Sequence, residues 1–205
     1  MRGSHSRFEG ALALRGPSFT GNITTTTLVG KKVKLRPKRL QDAAADYVWR
    51  TDAELCHLDA APTMKNSFEE FLNDYTEQLR YPAPGLRFAI ETQDGKHIGN
   101  LSLFNCDNSK NEAELGIMIG EKSCWNQGYG TDAVTTVIDY VFTQTPWQSM
   151  FLKTLDWNTR AHKCFEKCGF IRKGTLHYNG CNFIIMEISR HRQQEDHKNF
   201  DCGPM

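Results

Sequence analysis

Three stretches in the middle of the chain alternate apolar and polar residues, and the chain then changes period within a dozen residues. Leu86, Phe88 and Ile90 form the first set, Ile98, Leu101 and Leu103 the second, and Ala113, Leu115, Ile117 and Ile119 the third. In the third set Glu114, Gly116 and Met118 occupy the opposite face. Asp94-Gly95 and the segment Asp107–Asn111 separate them, so they read as consecutive antiparallel strands joined by tight connections. The second set slips phase around Gly99-Asn100, which predicts a bulge there. Directly afterwards Cys124-Trp125-Asn126-Gln127-Gly128-Tyr129-Gly130-Thr131-Asp132-Ala133 opens a run with helical spacing, in which Val134, Val137, Ile138 and Val141 make one stripe.

The start of this run has a chemical bias of its own. Gly128 and Gly130 sit where a helix begins, so backbone N–H groups are left bare and point outward. The helix terminus adds roughly half a positive charge, which suits a phosphate or pyrophosphate. The same two glycines also serve a simple strand-to-helix turn, and Gly-x-Gly alone does not choose between these uses.

The flanking segments complete an α/β outline. Val33-Lys34-Leu35-Arg36 is a short strand stopped by Pro37, and Leu40 to Arg50 is helical, with Ala43, Tyr47 and Val48 on one face. Residues 51–66 carry no clear period. Ser67 with Glu69 and Glu70 caps a helix that runs to about Leu79 and ends before Pro82-Ala83-Pro84-Gly85. Past the central helix, Ser149–Leu155 is a strand, and Asn158 or Thr159 caps a short helix closed by Gly169. Phe170–Leu176 and Asn182–Ile188 form a hairpin around Tyr178-Asn179-Gly180. The fold class is α/β (α+β) with a mixed, mainly antiparallel sheet. Residues 1–30 are read as a flexible tail, 31–190 as one domain and 191–205 as a second mobile tail.

Charge and cysteine content narrow the partners. A formal net charge of +1 lacks the basic excess of a nucleic-acid binder. No apolar run approaches the ~18 residues of a membrane span, and Ala11–Leu14 is too short for a signal-peptide core, so the expected location is cytoplasmic. The 7 cysteines include no Cys-x-x-Cys pair, as expected for reduced thiols. Cys164 and Cys168 lie one helical turn apart near His162, but buried helical cysteines are commoner than ligands, and no metal is expected.

Two motifs carry a resemblance to a known family. Ala113-Glu114-Leu115-Gly116-Ile117-Met118-Ile119 followed by Trp125-Asn126-Gln127-Gly128-Tyr129-Gly130-Thr131-Asp132-Ala133 resembles the acetyl-CoA segment of GNAT N-acetyltransferases. Asn158-Thr159-Arg160-Ala161 followed by Phe165-Glu166-Lys167-Cys168-Gly169-Phe170 resembles the family's second signature. The likeness covers roughly residues 31–190 and is nearest the ribosomal-protein N-terminal and spermidine acetyltransferase branch. It implies a splayed strand pair forming an acetyl-CoA cleft between residues 113–119 and 149–155. The pantetheine arm would pair with backbone groups of Ile117, Met118 and Ile119, as an added strand does. The pyrophosphate would rest on N–H groups of Gln127, Gly128, Tyr129, Gly130 and Thr131, with side chains at 128 and 130 excluded from its space. Asn158 would contact the pantetheine or assist the thioester region, which a plain helix-cap role does not exclude, and Phe165 is a further cofactor-binding candidate.

The implied reaction moves an acetyl group to a primary amine of a small molecule, polyamine or peptide N-terminus, by direct attack in a ternary complex. It requires a neutral amine, a stabilised oxyanion and a departing thiolate. Glu114 is the candidate base, directly or through water, and the N–H of Met118 or Ile119 the oxyanion donor. Many family members place a tyrosine seven residues after the asparagine as proton donor; here that position is Phe165. The acid is then water, Cys164, Tyr178 or nothing. Asp52, Glu54, Asp59 and Glu114 are candidates for holding a cationic amine, the first three otherwise belonging to a solvated loop. Monomer and homodimer are both compatible with the sequence. Two rival readings remain. One is a catalytically weak acyl-CoA-binding module on the same fold, which Phe165 favours. The other is a dinucleotide-binding oxidoreductase, matched by Gly128-x-Gly130-x-x-Ala133 and Asp156 but opposed by the long approach to Gly128 and the preceding meander.

Overall fold

In the computed structural model, which describes residues 26–191, the strands are β1 (Leu28–Val29), β2 (Val33–Pro37), β3 (Leu86–Thr92), β4 (His97–Asp107), β5 (Glu112–Ile119), β6 (Ser149–Leu155), β7 (Ile171–Tyr178) and β8 (Cys181–Ser189). They form one sheet in the order β1-β2-β3-β4-β5-β6-β8-β7. Every neighbouring pair is antiparallel except β5 with β6. The helices are α1 (Ala43–Thr51), α2 (Ala53–Leu58), α3 (Phe68–Arg80), α4 (Tyr129–Gln144) and α5 (Thr159–Lys167). Among the described residues no helix is long and apolar enough to cross a membrane.

The parallel pairing of β5 and β6 is the local departure that makes a site. Antiparallel neighbours can be joined by a hairpin, whereas a parallel pair needs a crossover, and α4 provides it. The stripe Val134, Val137, Ile138 and Val141 is buried, together with Phe142. It joins Val33, Leu35, Ile90, Leu101, Leu103, Ala113 and Leu115 from the strands in one apolar core, to which Phe165 and Phe170 also belong.

The other side of the sheet is bound by ions. Arg36 on β2, 3% exposed, reaches both oxygens of Asp42, 2% exposed, at 2.8 Å each, and also pairs with Glu91. Asp42 further accepts from the N–H of Arg39 at 2.7 Å. Lys38 pairs with Asp46, which accepts from Asn100 Nδ2 at 2.7 Å. These contacts fix α1 on the sheet and explain one rotated face. Ala43, Asp46 and Trp49 turn inward, and Val48, expected beside Ala43 and Tyr47, is 61% exposed. Asp46 is buried because Lys38 and Asn100 satisfy it.

Several boundaries differ from the sequence reading in small, explicable ways. Ser67 and Glu70 form the reciprocal capping box that opens α3. The β3–β4 register slips between Ile90, opposite Gly99, and Glu91, opposite His97, so Ile98 is the extra residue, one position before Gly99-Asn100. Residues 51–66, without readable period, contain α2. Structure begins inside the expected first tail, because Leu28 and Val29 pair with Leu35 and Lys34. Residues 1–25 and 192–205, including most of both expected tails and Cys202, lie outside the described residues.

Candidate active site

Strands β5 and β6 touch only at their start. Their register runs Glu112↔Ser149, Ala113↔Met150 and Glu114↔Phe151, and stops there. From Leu115 and Leu152 onward the strands diverge, leaving one edge of β5 without a strand partner. The opening is lined by Leu115, Gly116 and Ile117 on one side and by Leu152–Leu155, Asn158 and Phe165 on the other. A free strand edge beside a half-buried cleft accepts an extended chain with its own amides.

Alternation decides which groups of β5 are available. The carbonyl of Met118 is directed at β4, where it would collide with a side chain on Gly99. In a strand the N–H and C=O of one residue point the same way. Met118 therefore spends its backbone groups on β4, and the groups of Ile117 and Ile119 face the open edge. Of the three residues expected to present backbone groups to the cleft, Ile117 and Ile119 do so and Met118 does not. The carbonyl of Ile119 already accepts the Trp125 indole N–H at 2.7 Å, which leaves its N–H for a ligand.

At the far end of β5 lies the glycine turn. Gly128 is the N-cap of α4 with φ 84°, and Asn126 also has positive φ, 60°. The N–H of Asp132 bonds the carbonyl of Gly128 at 3.0 Å, so the N–H groups of Tyr129, Gly130 and Thr131 precede the first intrahelical donor. Lys32 Nζ donates to the carbonyl of Gln127 at 2.8 Å and lies 5.8 Å from the Tyr129 ring centroid. Asp132 holds that lysine's loop, accepting the N–H groups of Lys31, Lys32 and Val33 at 3.2, 2.7 and 3.0 Å. Outward amides, a helix N-terminus and a lysine together fit a pyrophosphate. Lys32 and Asp132 carried no sequence signal for this role, because the partners are about a hundred residues apart. Gly130 differs from expectation: a Cβ there would point inward, 3.6 Å from Cys164 Sγ and 3.7 Å from Ile119 Cγ1, and not toward the phosphate space.

The carboxylates sort into engaged and open ones. Glu114, 5% exposed, accepts from Asn105 Nδ2 at 2.8 Å and meets Lys153 Nζ at 3.0 and 3.1 Å through its two oxygens. Three of its roughly four acceptor positions are thus taken, and Glu114 is a fixed counter-charge for Lys153. Asp52 caps α2 by accepting the N–H groups of Glu54 and Leu55, and it shares Lys122 with Glu54 at 2.7 Å each. Asp59 lines the cleft itself. Burial pushes its pKa up to about 6, against the pull of Arg50. Asp59 is nevertheless solvent-exposed at the cleft mouth, so the shift comes from the protein packed around it and not from enclosure of the carboxylate.

Three further candidates are placed as follows. Asn158 caps α5, its Oδ1 accepting the Ala161 N–H at 3.2 Å, and also lines the cleft. Phe165 is 7% exposed and stands edge-on to Phe170, centroids 5.9 Å apart, with its ring on the cleft wall. Cys164 instead contacts Thr131 Oγ1 at 3.5 Å beneath the glycine turn, and Tyr178 is 57% exposed at a hairpin tip. Neither lines the cleft. Among the described residues no group of His, Cys, Asp or Glu is arranged to hold a metal, and the six described cysteines are free thiols.

Comparisons with known proteins agree with this geometry. Residues 32–171 match the acetyltransferase (GNAT) domain family. An uncharacterized N-acetyltransferase p20 from Bacillus licheniformis is 25% identical over 152 residues, 73% of this chain and 85% of that protein. The spermidine N(1)-acetyltransferase of Vibrio cholerae is 26% identical over 110 residues, 54% of this chain and 62% of its own length. The fold is shared with the crystal structure of spermidine N-acetyltransferase from Vibrio cholerae in complex with CoA and spermine. The TM-score is 0.69 at 21% identity, covering 79% of this chain and 98% of the other.

Proposed function

Because the chain belongs to the GNAT acetyltransferase family, an acyltransferase family whose co-substrate is acetyl-CoA, we propose that it acetylates the primary amine of a small molecule. The observation that carries this reading is the end of β5–β6 pairing at Glu114↔Phe151, with an amide-rich turn and a lysine at the other end of the same strand. That layout matches a ligand with an extended amide arm joined to a pyrophosphate. Polyamines are natural first acceptors to try, since a relative of this chain is a spermidine acetyltransferase; a peptide N-terminus presents the same nucleophile.

The chain's own residues divide the work. The turn from Gln127 to Thr131 with Lys32 holds the pyrophosphate, and the edge groups of Ile117 and Ile119 align the pantetheine arm. An N–H on that edge stabilises the oxyanion as the amine attacks, the usual largest contribution to acyl transfer. Glu114 keeps Lys153 in place at the apex of the cleft. The test is release of CoA thiol from acetyl-CoA with a panel of polyamines, aminoglycosides and short peptides with free N-termini. Amine-dependent release supports the reading. Binding of acetyl-CoA without release by any amine supports the alternative, an acyl-CoA-binding module, which Phe165 at the expected donor position favours.

Phe165 gives a separate prediction. Phe165→Tyr places a hydroxyl on the cleft wall and is expected to raise turnover by up to about tenfold, with acetyl-CoA affinity unchanged. The gain falls short of the ~10²–10⁴ of full acid catalysis because a thiolate of pKa about 8.5 leaves largely unaided. Steady-state rates of a well-folded variant decide it; no gain means that proton delivery to sulfur is not limiting.

A further inference from the structure

We propose that the carboxylate of Asp59 is the catalytic base, binding the acceptor ammonium in the cleft between β5 and β6 and taking its proton. The proposal rests on the acetyltransferase reading above and adds the residue that activates the nucleophile.

The placement of α2 is the first ground. Near its start, Asp52 and Glu54 are tied to Lys122, just beyond β5. Toward its end, His57 stacks on Trp157, just beyond β6, with centroids 4.6 Å apart and planes at 18°. The helix thus spans the ends of the two diverging strands, and the charge of Glu54 also acts on Arg160 of α5. Asp59 is the residue on which α2 ends. It lines the same cleft as Gly116, Ile117, Asn158 and Phe165.

The second ground is that its backbone is fixed while its side chain is left open. The Asp59 N–H donates to the carbonyls of Leu55 and Cys56 at 3.0 and 3.2 Å, and the Ala61 N–H to Cys56 at 2.9 Å. Ala60 between them has φ 51°, a left-handed conformation costly for a residue with a Cβ. The Met64 N–H, bonded to the carbonyl of Arg50 at 2.9 Å, ties the following loop back to α1. Within the described residues, Asp42, Asp46, Glu91, Glu114 and Asp132 all have hydrogen-bond or ion-pair partners. On the Asp59 carboxylate the only charge that acts is the more distant Arg50. An exposed carboxylate at a cleft mouth, bonded to no cation of the chain, is open to a cationic ligand.

The electrostatics agree with the geometry. Arg50 of α1 is the charge that acts on Asp59, Asp59 in turn acts on Cys56 of α2, and Lys153 of β6, paired with Glu114 of β5, lines the same cleft. With burial outweighing Arg50, a pKa of about 6 makes Asp59 ionised at neutral pH yet basic enough for proton transfer. The ammonium gives one proton to Asp59. The neutral nitrogen forms the C–N bond while the carbonyl π pair moves to oxygen. The carbonyl re-forms as the C–S bond breaks, with its electron pair going to sulfur. The nitrogen's second proton ends on that thiolate, and Asp59 returns the first to solvent. The products are the amide, CoA thiol and one proton.

The experiment compares wild type, Asp59→Asn and Asp59→Glu on an acceptor from the amine panel, from about pH 5 to pH 9. Wild-type kcat/KM is expected to lose activity below about pH 6, with a carboxyl ¹³C titration of the free protein giving the same midpoint for Asp59. Asp59→Asn should lower kcat by ~10²–10⁴ and abolish that acid limb, with the deficit shrinking at high pH. Asp59→Glu should recover part of the rate, and calorimetry should find acetyl-CoA affinity unchanged in both. An Asn variant with wild-type kcat and acid limb overturns the proposal and leaves the transferase reading standing. Wild type that binds acetyl-CoA but acetylates no amine overturns both.

Discussion

Gly128→Val is expected to weaken acetyl-CoA binding by at least tenfold, the largest effect of any single substitution in the glycine turn. Gly128 holds φ at 84° as the N-cap of α4, and a β-branched residue there is a genuine outlier. The left-handed conformation costs ~1–2 kcal/mol for any L-residue, and branching adds to it. The chain relieves that strain by turning the peptide, which misdirects the N–H groups of Tyr129 to Thr131. Each 1.4 kcal/mol of lost contact is about tenfold in affinity. Gly128→Asn provides the control, because asparagine tolerates this region, and it should retain most of the affinity. Gly130→Ala should bind almost normally, since its Cβ meets Cys164 and Ile119 only at ordinary contact distances. Titration calorimetry on the three variants would separate a phosphate cradle from a purely structural turn; equal affinities would leave the turn structural.

Asp42→Ala should cost about 3–5 kcal/mol of folding stability, a large part of the 5–15 kcal/mol typical of a domain. The substitution leaves Arg36, 3% exposed, with only Glu91 and the carbonyl of Pro37 as partners. It also removes the acceptor for the Arg39 N–H. Burial pushes the Asp42 carboxyl up, but the hydrogen bonds from Arg36 and Arg39 and the charge of His97 outweigh it and hold the pKa below the ordinary range. A depressed folded pKa stabilises the protein above the unfolded value of ~3.9, and this contribution disappears as pH falls through the folded value. The alanine variant should therefore be less stable at neutral pH and lose less on acidification below about pH 4. Urea unfolding at matched m-values measures both effects. Because the pair anchors the segment leading through α1 to α2, activity should fall along with stability.

The parts that were legible in the sequence are those set by local chemistry. Alternation placed β3 to β5, the i, i+3, i+4 stripe placed α4, and Ser67 with Glu70 announced α3. What escaped was set by partners distant in sequence. Val48 satisfies helical periodicity beside Ala43, yet the Lys38–Asp46–Asn100 contacts rotate α1 so that Asp46 faces inward. Glu114 lies on the expected face, but only the fold brings Lys153 and Asn105 to occupy it. Asp59 sits in a stretch without period, and its position depends on tethers to Lys122 and Trp157. Alternation along β5 was readable, but its phase relative to β4 was not, and that phase turns Met118 away from the cleft.

The activity proposed for the protein is acetyl transfer to an amine at the diverging strands. A single-turnover reaction with isotope-labelled acetyl-CoA and a primary amine, quenched and followed by mass spectrometry, tests it most directly. The expected result is labelled acetyl on the amine nitrogen, an equal amount of free CoA thiol, and no label on the protein at any time. Acetyl-CoA that binds but yields no labelled amide with any amine of the panel would contradict it.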